Sequence, residues 1–485
     1  MDNEKRLDHN SQEQASILNR RTFLAAATGA ASAGLFARQL KGAAEGSPNA
    51  PRLGGRAGTG EERLALEGGK PVRATKLKAN FPGPLYYDEQ ERHELIQVLE
   101  RRAPFRWYGI GPKGKAPRKC DEFEKEFAEH QHTRYCVAVT SGTMALYTAM
   151  AALGVGPGDE VILPAWTWYS CYNAIVAAGG TPVFAEIDES FDMDPAEIEK
   201  HITPRTKVIM AVHIAGEPAA MDPVLSIAHQ HRVKVLEDCA QTLGATYKGQ
   251  PVGSMGDCAI YSFQECKTIS AGEGGAVVMN DPYIFERASR YHDLGTLRGP
   301  HAQWLGRPLR LQQFCGGQFR MSEFTGAVMR AQLRKLDRIV ADFRKRSDRV
   351  VQGIHDLPGI KFRKVNDTAG RLPSFVYLRT SGKAERDWFI KGLNAENIAA
   401  GKMEGSVILP VVPYIANKET VEPGWPSFAA PWARSLPYGR ACCERTLDIY
   451  ERYAGIMMDP TFSDQDVADI VAAVRKVYQA ASKRT

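Results

Sequence analysis

Between residues 135 and 280 the chain alternates short Val/Ile-rich runs with segments of helical length, and this alternation limits most strongly what it can become. "RYCVAVT" leads into "SGTMALYTAMAALG", "DEVILP" into "SCYNAIVAAGG" and then "TPVFAEID"; further on, "KVIMAVH" is followed by "DPVLSIAHQHR" and "VKVLEDCA". Apolar runs separated by enough residues for a crossover helix are what right-handed β–α–β units around a doubly covered parallel sheet require. The pattern predicts an α/β protein with a mostly parallel sheet between helices. Two more apolar runs, "DCAIYSFQE" and "GGAVVMND", predict short strands on either side of a turn that carries Lys267. Beyond them, "QFRMSEFTGAVMRAQLRKLDRIVADFRKRSDRVVQGI" reads as one long amphipathic helix, and "SDQDVADIVAAVRKVYQAAS" as a terminal helix capped by Ser463.

A chain of 485 residues exceeds one simple core. The predicted organisation is an export segment over 1–44, a Gly/Ala/Pro/Arg-rich linker over 45–64, a large domain over 65–334 and a smaller α+β domain over 335–485. The first segment, "NRRTFLAAATGAASAGLFARQLKGAA", sets Arg20 and Arg21 before a weakly apolar run, the layout of a twin-arginine signal. That run is shorter than the ~20 residues of a bilayer-spanning helix, so it reads as an address rather than an anchor. Export of an already folded protein is the expectation, and a cytoplasmic location if the signal is not used. Lys and Arg number 62 against 56 Asp and Glu, and no basic run interleaves with aromatics, so nucleic acid is not an expected partner. The nine cysteines form no CxxC pair and no zinc-like spacing with histidine; they read as small buried hydrophobes, with no metal expected.

Four features in order along the chain suit one kind of chemistry. "TSGTMAL" places Ser141, Gly142 and Thr143 where a strand gives way to a helix, a natural phosphate site, although these residues are also ordinary helix caps. "PAWTWYSCYNA" offers aromatic rings that either stack on a flat ligand or pack in the core. "VKVLEDCAQTLGA" ends a strand with Glu237 and Asp238, at the end of a parallel sheet where ligands bind. A carboxylate there keeps a pyridine nitrogen protonated. Lys267 follows 29 positions later, before Gly272, Gly274 and Gly275. In a partly closed apolar site its pKa falls, which frees the neutral amine for Schiff-base chemistry and proton transfer.

The run from "SGTMAL" through "PAWTW" and "EDCAQTLGATYKGQPVGSMGDCAIYSFQECKTISAGEGGAVVMND" to "QFRMSEFTGAV" resembles the DegT/StrS family of pyridoxal-phosphate-dependent sugar and cyclitol aminotransferases, of the aspartate-aminotransferase fold (fold type I). The resemblance covers roughly residues 65 to 480. It implies pyridoxal 5'-phosphate as cofactor, carried by Lys267 as a Schiff base, with Asp238 on the pyridine nitrogen, Gln241 near the ring hydroxyl and Trp168 stacked on the ring. Gly142, Thr143 and Ser262 would hold the phosphate. A homodimer is implied, in which a neighbouring subunit's amide, here Gln318, reaches the phosphate. The implied reaction moves an amino group from glutamate or glutamine onto a keto-sugar or keto-cyclitol. Two other readings stay open: a pyridoxal-phosphate-dependent sugar dehydratase, against which the retained lysine speaks, and a cofactor-binding sensor or scaffold without turnover.

Overall fold

The structure is a computed structural model that describes residues 63–107, 117–307, 311–403, 405–423 and 425–481. The predicted export segment, nearly all of the predicted linker and residues 108–116 and 308–310 lie outside the described residues. Among the described residues no helix is long and apolar enough to cross a membrane.

Seven strands form the main sheet: β1 (Tyr135–Val139), β2 (Glu160–Pro164), β3 (Thr181–Ala185), β4 (Thr206–Val212), β5 (Lys234–Asp238), β6 (Cys258–Ser262) and β7 (Gly275–Met279). Their spatial order is β1-β7-β6-β5-β4-β2-β3. Strands β6, β5, β4, β2 and β3 run parallel, while β7 is antiparallel to both its neighbours. The near-continuous apolar runs in the sequence follow from this placement, because both faces of the sheet are covered. In β1, Tyr135, Val137 and Val139 enter the core on one face, whereas Cys136 and Ala138 enter the core on the other. That split is the period-two geometry of a strand.

The predicted long helix after Met321 is two helices. Glu323–Leu333 ends at Arg334, and Leu336–Ile354 starts anew after Lys335. The break falls where side chains are anchored sideways: Lys335 bonds both carboxylate oxygens of Glu91 at 2.8 and 2.7 Å and the carbonyl of Tyr86 at 2.6 Å, and Arg334 reaches Glu94 at 2.6 Å. Apolar periodicity runs straight through this turn, and so hides it. The terminal helix Asp464–Ala481 is capped as expected, with Ser463 Oγ accepting from the N–H of Asp466.

A second sheet of three antiparallel strands, β8 (Lys361–Phe362), β9 (Phe375–Arg379) and β10 (Tyr453–Met457), lies with the C-terminal helices. Not all of the expected 335–485 domain gathers around it. Val407–Ile408 pairs antiparallel with Trp166–Thr167, and Ile408, Leu409, Ile415, Phe428 and Ala433 join the core of the main sheet. Trp425 donates its indole N–H to the carbonyl of Val176 at 2.8 Å. A stretch of the C-terminal half thus packs into the core of the main sheet.

Candidate active site

The ends of β1, β5 and β6 open onto a cavity of about 490 Å³, lined also by Leu372, Phe375 and Met457 of the C-terminal half. Ser141 caps the helix α1 (Gly142–Leu153) by accepting from the N–H of Met144 at 3.1 Å. Helix α1 has twelve residues, and its first N–H groups have no partner within the helix, so they and the dipole favour an anion at this end. Thr143 Oγ1 lies 2.7 Å from Ser170 Oγ, and Ser262 stands against Gly142; all four line the cavity. This neutral cradle of hydroxyls and N–H groups suits a phosphate.

Asp238 ends β5 with its carboxylate in the cavity. One oxygen accepts from the N–H of Ala240 at 3.0 Å and the other from the thiol of Cys171 at 3.1 Å. Glu237, which the sequence places beside it as a second crevice carboxylate, points to the opposite face. There it accepts from the N–H groups of Gly253, Met255 and Gly256 at 2.8, 2.8 and 2.5 Å and faces His213 Nε2 at 3.0 Å. Adjacent strand residues cannot share a face, which is why only one of the pair is available. His213, Glu237 and Cys239 lie within metal-binding range of one another, but the Glu237 and His213 atoms already serve these internal hydrogen bonds.

Of the aromatic cluster, Trp166 is fully buried and packs edge-on against Phe191, whereas Trp168 is 50% exposed and lines the cavity. Trp168 is also the residue that opens the helix α2 (Tyr169–Ala177), so the first turn of α2 delivers Ser170 to the cradle and Cys171 to Asp238. Lys267 sits in the loop joining the antiparallel pair β6 and β7, its N–H bonded to the carbonyl of Gln264 at 2.9 Å. Its partly buried side chain lines the cavity, and among the described residues no carboxylate or carbonyl takes up its amine. Burial pushes the amine below the ordinary lysine range, against the opposing pull of Asp238. Of the three glycines expected to shape this turn, Gly272 takes the left-handed conformation at φ +81°. Gly275 is needed for a different reason: a Cβ there would stand 2.4 Å from the carbonyl oxygen of Ser141.

Gln241 lines the cavity, but its amide is engaged. Its Nε2 donates to the carbonyl of Gly405 at 3.0 Å and to Ser406 Oγ at 3.1 Å, while Oε1 accepts from the N–H of Ala215 at 3.1 Å. Gln318 lies in an extended segment bridged to Asp293 and does not line the cavity of its own chain. Several lining residues escape sequence reasoning. Ser170 and Cys171 follow from recognising Trp168 as a helix start; Leu372, Ser374, Phe375, Gly405 and Met457 arrive by tertiary packing alone and have no local signal.

The seven-stranded sheet with its smaller C-terminal sheet has the aspartate-aminotransferase-like architecture of pyridoxal-phosphate fold type I, and the cavity at its strand ends gathers an amine, a carboxylate, an exposed indole and a helix-start anion cradle. The solved structure of 3-amino-5-hydroxybenzoic acid synthase has this fold at TM-score 0.68 and 27% identity, over 83% of this chain and 100% of its own. The chain belongs to the DegT/DnrJ/EryC1/StrS aminotransferase family, whose model matches residues 90–475. The spore coat polysaccharide biosynthesis protein SpsC of Bacillus subtilis is 30% identical over 402 residues, 81% of this chain and 95% of its own. The L-glutamine:2-deoxy-scyllo-inosose aminotransferase of Micromonospora echinospora is 30% identical over 439 residues, 86% of this chain and 97% of its own.

Proposed function

We propose that this protein is an aminotransferase that carries an amino group from glutamate or glutamine to a keto-sugar or keto-cyclitol, with pyridoxal phosphate joined to Lys267. The observation that carries the reading is the unpaired Lys267 amine, in one cavity with the Asp238 carboxylate and the helix-start cradle. Pyridoxal phosphate, when bound, supplies an aldehyde that takes up amino groups and a ring that draws electrons from the adjoining carbon. The residues of the chain do the rest. The start of α1 with Thr143, Ser170 and Ser262 binds the phosphate, and Trp168 orients the ring by stacking. Asp238 holds a proton on the ring nitrogen. Lys267, whose burial favours the neutral amine, would move a proton from the α-carbon of the donor to the carbon on the other side of the transferred nitrogen. The apolar wall of Leu372, Phe375 and Met457 limits water around these transfers.

Support for the acceptor class comes from relatives named for polysaccharide and cyclitol work. The assay is purified protein loaded with pyridoxal phosphate and exposed to glutamate, then glutamine. Conversion of the bound cofactor to its amine form, followed by amination of a keto-inositol or keto-sugar panel, is expected. A colourless protein from which borohydride traps no lysine-bound cofactor overturns the reading. Cofactor bound but unchanged by every amino donor favours the sensor instead. We also propose a homodimer in which Gln318 reaches the neighbouring phosphate; light scattering and the cofactor affinity of Gln318→Ala test it. The Arg20–Arg21 segment is proposed to direct export, and cell fractionation of an Arg20→Lys, Arg21→Lys variant should find the protein retained in the cytoplasm.

A further inference from the structure

The nine cysteines look alike in the sequence, yet in the fold Cys171 bonds the carboxylate that enters the cavity. Cys171 is fully buried, in the third position of α2, with its sulfur 3.1 Å from Asp238 Oδ2 and 3.2 Å from Thr167 Oγ1. Cys136 and Cys258, also buried, sit in strands of the apolar core and have no polar side-chain partner among the described residues. The direction of the bonds around Cys171 follows from chemistry. An ionised carboxylate only accepts, so the thiol hydrogen goes to Asp238 and the hydroxyl of Thr167 donates to the sulfur. Burial, reinforced by the charge of Asp238, holds the thiol well above the usual cysteine range, so the proton stays on sulfur.

We propose that Cys171 is a positioning residue for the amination chemistry: its thiol, backed by Thr167, fixes the plane of the Asp238 carboxylate so that the carboxylate faces the ring nitrogen of the cofactor. The backing is rigid. Thr167 is buried and its backbone is paired with Val407. The N–H of Ala240 holds the other carboxylate oxygen from the opposite side. Each Asp238 oxygen therefore receives one hydrogen bond from the protein and keeps acceptor capacity for the cofactor. A carboxylate held at both oxygens cannot rotate about its terminal bond, which otherwise has a broad torsional well. Because Ser170 is the neighbouring residue on the same turn, the cradle and the carboxylate are set in register by one piece of backbone.

This inference rests on the reading of the cavity as a pyridoxal phosphate site. Its test titrates the cofactor-free forms of the wild type, Cys171→Ala, Cys171→Ser and Cys171→Val with pyridoxal phosphate, followed by visible absorption and induced circular dichroism. Cys171→Val supplies a second donor-free variant if the smaller side chain fails to fold. Donor-free variants should bind at least about five-fold more weakly and show an altered dichroic band, whereas Cys171→Ser, which keeps a donor, should stay within about two-fold of the wild type in both. In an Asp238→Asn background, removing the donor should cost less than two-fold. Equal behaviour of Ser and donor-free variants, whether all unchanged or all weakened alike, overturns the proposal, as does an undiminished loss in the Asp238→Asn background. Failure of the wild type itself to bind the cofactor is a different result: it removes the reading of the cavity and takes this inference with it.

Discussion

Gly142→Ala asks most directly whether the start of α1 is a built anion cradle. A methyl group added at Gly142 would stand 2.6 Å from Cβ, 2.9 Å from Oγ and 3.2 Å from Cα of Ser262. Carbon atoms pack best at ~3.5–4.0 Å, so the nearest contact falls about 1 Å short. The first obstacle is Cβ of a buried strand residue, which a rotamer change cannot remove. Overpacking of this kind costs about 1–3 kcal/mol, and the strain falls on the two residues meant to hold the phosphate. If that cost is relieved only by opening the cradle, affinity for pyridoxal phosphate should fall roughly 5- to 150-fold. The cofactor-free protein should melt a few degrees lower. Absorbance titration of the cofactor and a thermal melt of both forms measure the two effects. The double variant Gly142→Ala, Ser262→Gly should recover most of the lost stability, because Cβ and Oγ are then gone and the remaining contact is the 3.2 Å one. A single variant that binds within two-fold of the wild type and melts at the same temperature would refute the reasoning.

Lys267→Ala should leave the cofactor exchangeable on dialysis and unreactive to borohydride trapping, checked by mass spectrometry of the reduced protein. Because burial lowers the Lys267 pKa, the neutral amine appears as pH rises to a midpoint below the 10.5 of free lysine, and the rate of covalent cofactor loading should climb with it; stopped-flow absorbance over pH 6–10 reads this, and a rate that falls with pH contradicts it. Trp168→Ala removes a half-exposed ring, so cofactor affinity should drop by about five- to ten-fold with little change in melting temperature. Glu323 is raised to about 7 by burial, although it accepts from the N–H groups of Lys119 and Cys120. A carboxyl whose folded pKa exceeds its unfolded one stabilises fully below the unfolded value and loses that contribution as pH rises through the folded one. Melting temperature should therefore fall between about pH 4.5 and 7, by an effect on the order of 3 kcal/mol, and Glu323→Gln should flatten that slope.

The strands, the helix starts and the lysine loop were legible because each is a local event. Val/Ile runs, a Ser cap at Ser141 and a glycine at Gly272 are written into a few neighbouring residues. Strand parity was legible in principle: it alone separates Asp238 from Glu237, and reading both as crevice carboxylates ignored it. The break at Arg334 was not legible, since the anchors that hold it come from Tyr86, Glu91 and Glu94, more than 200 residues upstream. Gln241 was found as a cavity residue but not as one whose amide is occupied by Gly405 and Ser406, for the same reason. Cys171 reads as a small hydrophobe in the sequence because Asp238, the carboxylate it bonds, sits 67 positions away.

The pairing of Val407–Ile408 with Trp166–Thr167, and the placing of Phe375 and Met457 against the cavity, have a consequence during synthesis. A nascent chain that has emerged only as far as the lysine loop possesses the reactive amine but lacks the wall that shelters it. The site therefore takes its final form only once the segments carrying Leu372, Phe375 and Met457 have folded back against the large sheet, however early the lysine loop itself is made.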